Sequence, residues 1–139
     1  MTASMAERTL IWLLRVFGGI ALAAVVPMIM PTDWMVAIND GLGLEPLQRS
    51  PLTEYLTRSL SAVYALFGAL AIYVTLDLRR YLGLVAFMGK LTVLLGVFLT
   101  VLGFWAGLPA IWSWGEGPPT VALGVAMAWL AGRVAGRES

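Results

Sequence analysis

Long apolar runs separated by short polar connections dominate the chain, and the runs have the length of bilayer spans. Four stretches stand out: Leu10–Met30 (LIWLLRVFGGIALAAVVPMIM), Ser59–Leu76, Leu82–Trp105 and the shorter Thr120–Val134. A hydrocarbon core of ~30 Å takes roughly 20 helical residues at ~1.5 Å each. Inside lipid each backbone N–H and C=O must pair within its own segment, and the two-residue alternation of a membrane barrel is missing. Each span is therefore predicted to be helical. The pattern predicts an all-α integral membrane four-helix bundle in one domain. The first run is too long for the apolar part of a signal peptide, and Pro27-Met28-Ile29-Met30 offers no small-residue cleavage site, so it reads as an uncleaved helix.

The connections differ in kind. Leu78–Tyr81 predicts a tight turn that makes the second and third spans a hairpin. Residues 31–58 read as a long outward loop with four acids (Asp33, Asp40, Glu45, Glu54), Arg49 and Arg58, and breakers at Gly41, Gly43, Pro46 and Pro51. Within it Thr32 or Asp33 is expected to cap a short helix through Ile38. That helix has Trp34, Met35 and Ile38 on its apolar side and is expected to lie flat on the outer interface. The third connection, GLPAIWSWGEGPP, is predicted as another interfacial loop. Arg8, Arg15, Arg79, Arg80, Arg133 and Arg137 fall on one side of the spans, against Arg49 and Arg58 on the other. The excess places both termini in the cytoplasm, an N-in/C-in topology. Trp12 and Tyr81 mark the inner boundary, and Trp34, Tyr55, Trp105, Trp112 and Trp114 the outer one.

Composition explains why water is a poor solvent for this chain. Of 139 residues 60% are hydrophobic and 12% charged, whereas soluble domains carry about 25% charged residues. Nine basic and eight acidic side chains cannot cover a soluble surface that leaves so much apolar chain over. A net charge of +1 without any charge block gives no footprint for nucleic acid. Cysteine and histidine are both absent. Disulfides, Cys/His zinc sites, His-ligated haem and any His or Cys catalysis are thereby excluded, and no cofactor, metal site or catalytic residue is expected.

Small residues mark where helices meet, because close backbone approach drives association in lipid. In the third span Gly89, Gly96 and Gly103 recur every seven residues, with Thr92 and Thr100 on the same stripe. Gly124, Ala128 and Gly132 form a small-xxx-small run in the fourth. Ser61, Ala65, Gly68 and Ile72 are the corresponding face of the second span, and Gly19 and Ala23 that of the first.

Four charged residues are candidates for more than boundary marking. Lys90 lies deep in the third span, where an ionisable group is a functional candidate by default. It either snorkels or pairs with Asp77, touches a ligand or partner subunit, or takes part in catalysis or proton transfer. Glu54 and Arg58, four residues apart on one helix face, form with Glu116 an outer polar cluster. It reads as a structural salt bridge or as a bidentate site for an anionic ligand. Arg15 reads as a snorkelling anchor.

EYLTRSLSAVYALFGALAIYVTLDLRRY, a third apolar span and then WSWGEGPPTVALGVAMAWL together resemble the small four-helix bacterial membrane proteins grouped with the DoxX-like proteins. The resemblance implies a multi-pass bundle of the bacterial inner (plasma) membrane and brings no activity with it. The expected role is non-enzymatic, an accessory or assembly subunit of a membrane complex. Its partners would be membrane lipids and other membrane subunits or further copies of itself. The alternative is a small-molecule or lipid-binding bundle or transporter with the outward Arg/Glu site, and third an enzyme acting on lipid headgroups.

Overall fold

The computed structural model describes residues 4–136, so Arg137, counted above for topology, lies outside it. Among the described residues every regular element is helical: α1 (Met5–Leu22), α2 (Val25–Ile29), α3 (Thr32–Gly41), α4 (Pro51–Tyr73) continued by a 3₁₀ turn (Val74–Asp77), α5 (Leu82–Trp105) and α6 (Ala110–Ala135). Three helical stretches are long and apolar enough to cross a membrane, Met5–Ile29, Pro51–Asp77 and Leu82–Trp105. Sequence reading expects four. The 26-residue α6 has the length, but its Glu116, Arg133 and Pro118-Pro119 dilute its apolarity.

Two compact units divide the chain, one formed by Leu14–Tyr73 and the other by the residues up to Leu13 together with those from Val74 onward.

In the Leu14–Tyr73 unit the first apolar run is interrupted, not continuous as expected. Ala23 and Ala24 leave the α-helix four and three residues ahead of Pro27; in a continuous helix the proline ring would meet the Ala23 carbonyl and its missing N–H could not bond it. The backbone tightens instead, with Ala24 N–H bonding Ala21 O and Val26 N–H bonding Ala23 O. The small residue of α1 that packs is Gly18, not Gly19. A Cβ on Gly18 would lie 2.9 Å from Gly68 O, and one on Gly68 would collide with the Leu22 backbone nitrogen, while Gly19 has open space around it. Ser61, Ala65 and Gly68 form the buried stripe of α4.

Residues 31–58 also differ from expectation. Pro31, not Thr32 or Asp33, occupies the N-cap position of α3, and no side chain caps that end. The helix runs three residues past Ile38 and closes on Gly43, whose φ of +66° suits a residue without Cβ. Gly43 N–H then bonds Asp40 O and Leu44 N–H bonds Asn39 O. The second apolar helix starts at Pro51, eight residues before the expected Ser59. Ser50 Oγ accepts the Thr53 N–H at 3.0 Å, and Pro51 follows as first helical residue, where its fixed φ helps and its missing N–H costs nothing. The polar residues before Ser59 therefore belong largely to a helix.

In the other unit α5 and α6 form an antiparallel hairpin. Trp105 ends α5, and Gly107, with φ +73°, lets Leu108 N–H turn back to Gly103 O. Pro109 takes the N-cap position of α6. The predicted loop through WSWGEGPP is thus helical, even though Pro118 and Pro119 deny the carbonyls of Trp114 and Gly115 their usual donors. A proline inside a helix costs about 3 kcal/mol, and contact with α5 from Ser113 to Ala128 outweighs it. A Cβ on Gly89 would sit 2.7 Å from the Ala128 nitrogen, and one on Gly96 2.6 Å from the Val121 nitrogen. A Cβ on Gly103 would sit 2.5 Å from Ser113 Oγ, and one on Gly117 would overlap Thr100 Oγ1. Gly124 lies against Gly89 O and Val93. Gly132, expected on the same face, has nothing near it and is exposed. The seven-residue glycine repeat keeps one seam of α5 against α6 over about four turns.

Candidate functional site

The sequence assembles Glu54, Arg58 and Glu116 into one cluster; the structure gives each its own partner. α4 carries Arg58 two turns past its start, half-buried. Its Nη1 donates to the Met28 carbonyl at 2.8 Å and its Nη2 to the Met30 carbonyl at 3.1 Å. Those carbonyls lie at the C-terminal end of α2, where the helix leaves acceptors without intrahelical donors and a cation meets the negative end of the helix dipole. Arg58 therefore anchors the end of the interrupted first run to α4. The Glu54 carboxylate, one turn earlier and exposed, instead accepts the hydroxyl of Thr32 at the start of α3. Asp33 pairs with Arg49 at 2.7 Å, an exposed bridge of small energetic weight. Glu116 accepts the indole N–H of Trp112, one turn back on α6, at 3.0 Å.

Lys90 is exposed on α5, beside the buried Gly89. Asp77, its expected partner, accepts the Arg80 backbone N–H at 3.4 Å. Lys90 lines an open groove with Trp129 of α6, and Arg133 lies over that indole, its guanidinium carbon 4.4 Å from the ring centroid. At the opposite end of the hairpin Phe104 and Trp114 meet edge to face at 5.7 Å, with Trp105 and Trp112 exposed beside them.

One polar pair escapes the sequence reading. Arg79, in the turn after the 3₁₀ segment, grips Glu7 of α1 through Nε–Oε1 and Nη2–Oε2 bonds of 3.1 Å each. Glu7 is buried, and its N–H also donates to Ser4 Oγ at 3.1 Å. The signal was present as Ser4-Met5-Ala6-Glu7, the spacing of a capping box. No spacing rule links Glu7 to Arg79, which lies 72 residues away.

No group of three or more carboxylate, histidine or cysteine side chains among the described residues is gathered to hold a metal ion. By fold, then, this is an all-helical protein with, among the described residues, three helical stretches long and apolar enough to cross a membrane. No protein-family model matches the chain, and neither a curated protein nor a solved structure is similar enough to count as a match.

Proposed function

We propose that the chain is a non-enzymatic multi-pass protein of the bacterial inner membrane, acting as an accessory or assembly subunit of a membrane complex. The single observation that carries this reading is inverted amphipathicity. Glycines and serines are buried at the helix contacts, while Leu66, Phe67, Leu94 and Phe98 stay exposed on the outside. Water would penalise such an exterior heavily, and lipid does not. Since α6 packs along α5 from Ser113 to Ala128, a membrane that holds α5 holds α6 at the same depth, as a fourth span. The hairpin has Arg79, Arg80 and Arg133 at one end and Trp105, Trp112 and Trp114 at the other. That asymmetry supports a cytoplasmic arginine end, in keeping with both termini inside. The exposed Trp34 and Ile38 of α3 suit a helix lying on the outer interface.

The alternative, an outward Arg/Glu ligand site, would require Arg58 to release two backbone carbonyls and Glu54 its hydroxyl donor. The accessory role asks for no such rearrangement. Purification in a mild detergent with mass spectrometry tests it: stoichiometric membrane proteins should accompany the chain, and recovery of the chain with no other protein would refute the subunit role. Because the chain has no cysteine, single substitutions Arg49→Cys and Arg80→Cys report sidedness directly. Labelling of position 80 from outside would overturn the orientation.

A further inference from the structure

One exposed face of the α5–α6 hairpin carries an apolar groove with a single cation, Lys90, in its lining, and the subunit role does not use it. Its volume is about 520 Å³, it is open along one side, and its lining is Lys90, Val93 and Leu94 from α5 with Val125, Ala128 and Trp129 from α6. The apposition of Gly89 to Gly124 and Ala128 sets Lys90 level with Val125. Trp129 then lies roughly 6 Å, and Arg133 roughly 12 Å, nearer the end of the hairpin where α6 finishes. Helical side chains lean toward the N-terminus of their own helix. In an antiparallel pair that direction carries Lys90 and Arg133 toward one another, to either side of Trp129. The Arg133 guanidinium already stands over the indole. Neither cation has a carboxylate partner among the described residues; Asp33 and Glu7, for example, pair with Arg49 and Arg79.

We propose that this groove binds one anionic phospholipid. The phosphate is held between the Lys90 ammonium and the Arg133 guanidinium beside Trp129, and an acyl chain runs along Val93, Leu94 and Val125. Charge complementarity selects the occupant. Two cations without a carboxylate partner among the described residues, Lys90 just over two turns from the start of α5 and Arg133 in the last turn of α6, beside an apolar groove, match a headgroup that carries net negative charge and a hydrocarbon tail next to it. A zwitterionic lipid brings its own cation to the site, which an anionic lipid does not. The inference rests on the reading of α5 and α6 as membrane spans.

Native mass spectrometry of the full chain in mild detergent, titrated separately with phosphatidylglycerol and phosphatidylcholine, tests it. One saturable phosphatidylglycerol adduct is expected, bound in preference to phosphatidylcholine. Lys90→Gln and Arg133→Gln should each weaken it about fivefold, the double variant should lose the preference, and Lys90→Arg should keep it. Leu94→Trp, which fills the groove and leaves both cations in place, should displace the adduct as well, so the outcome does not hang on one variant folding. Equal retention of both lipids, or an unchanged preference in the double variant, overturns the site. Alkaline extraction of membranes separates the two readings. Release of the chain sinks the spans, whereas a chain retained in the membrane without lipid preference sinks only this site.

Discussion

Arg79 and Glu7 face each other fork to fork, two hydrogen bonds of 3.1 Å joining a turn that follows the second apolar helix to the first turn of the chain's first helix. The bidentate geometry adds direction to charge, and Arg79 remains partly exposed, which screens the pair. Glu7→Gln, Arg79→Gln and the double variant, compared by thermal midpoint in detergent, should give a coupling of about 1 kcal/mol that shrinks with added salt. Additive single effects would mean that the pair contributes no stability.

Arg58 holds the end of α2 by donating to two carbonyls. Its replacement by Gln should cost about 2 kcal/mol and speed amide exchange around residues 26–35, where the chain passes from α2 into α3. Arg58→Lys should recover only part of this, since an ammonium lacks the planar fork that spans both oxygens. Full recovery by lysine would mean that charge alone, not geometry, does the anchoring.

The α5–α6 seam leaves no room for a side chain at Gly96, where the Val121 nitrogen and Val121 Cγ2 both lie within 2.7 Å of the place a Cβ would take. Gly96→Leu should lower stability by at least about 3 kcal/mol. Gly132→Ala, in open space on α6, should raise it by about 0.5 kcal/mol through helix propensity and a less free unfolded chain. Size-exclusion profiles after graded heating read both, and equal effects at the two positions would contradict the seam.

Ser113 is buried against Gly103, and its hydroxyl has no hydrogen-bond partner among the described residues. Removing the oxygen abolishes an unmet desolvation cost and leaves the contact intact. Ser113→Ala should therefore stabilise the hairpin by about 1 kcal/mol, seen as a higher melting midpoint. A fall would point to a donor role for the hydroxyl in the folded protein.

Some of the architecture is legible in residue order because it is local. The limits of α5 coincide with its apolar run, and the turn at Leu78–Tyr81 lies where a short polar break separates two such runs. Ser50-Pro51 is also a local helix start, yet Glu54 and Arg58 downstream made the segment resemble a loop. Pro118-Pro119 misleads in the same direction, since a proline pair signals a break wherever no neighbouring helix compensates for the lost donors.

The sequence by itself determined the solvent this chain suits, its helical backbone, and the absence of histidine and cysteine chemistry, because composition and apolar run length need no contact partner to act. Only the tertiary structure decided that Gly18 rather than Gly19 packs, that Gly132 does not, and that Arg58 serves two carbonyls instead of Glu54. It alone joined Glu7 to Arg79 and set Lys90 and Arg133 around Trp129. Each of these is a matter of rotation about a helix axis or of approach between segments far apart in the chain. A difference of one residue turns a side chain by about 100°, and the neighbour that waits there is written elsewhere in the sequence.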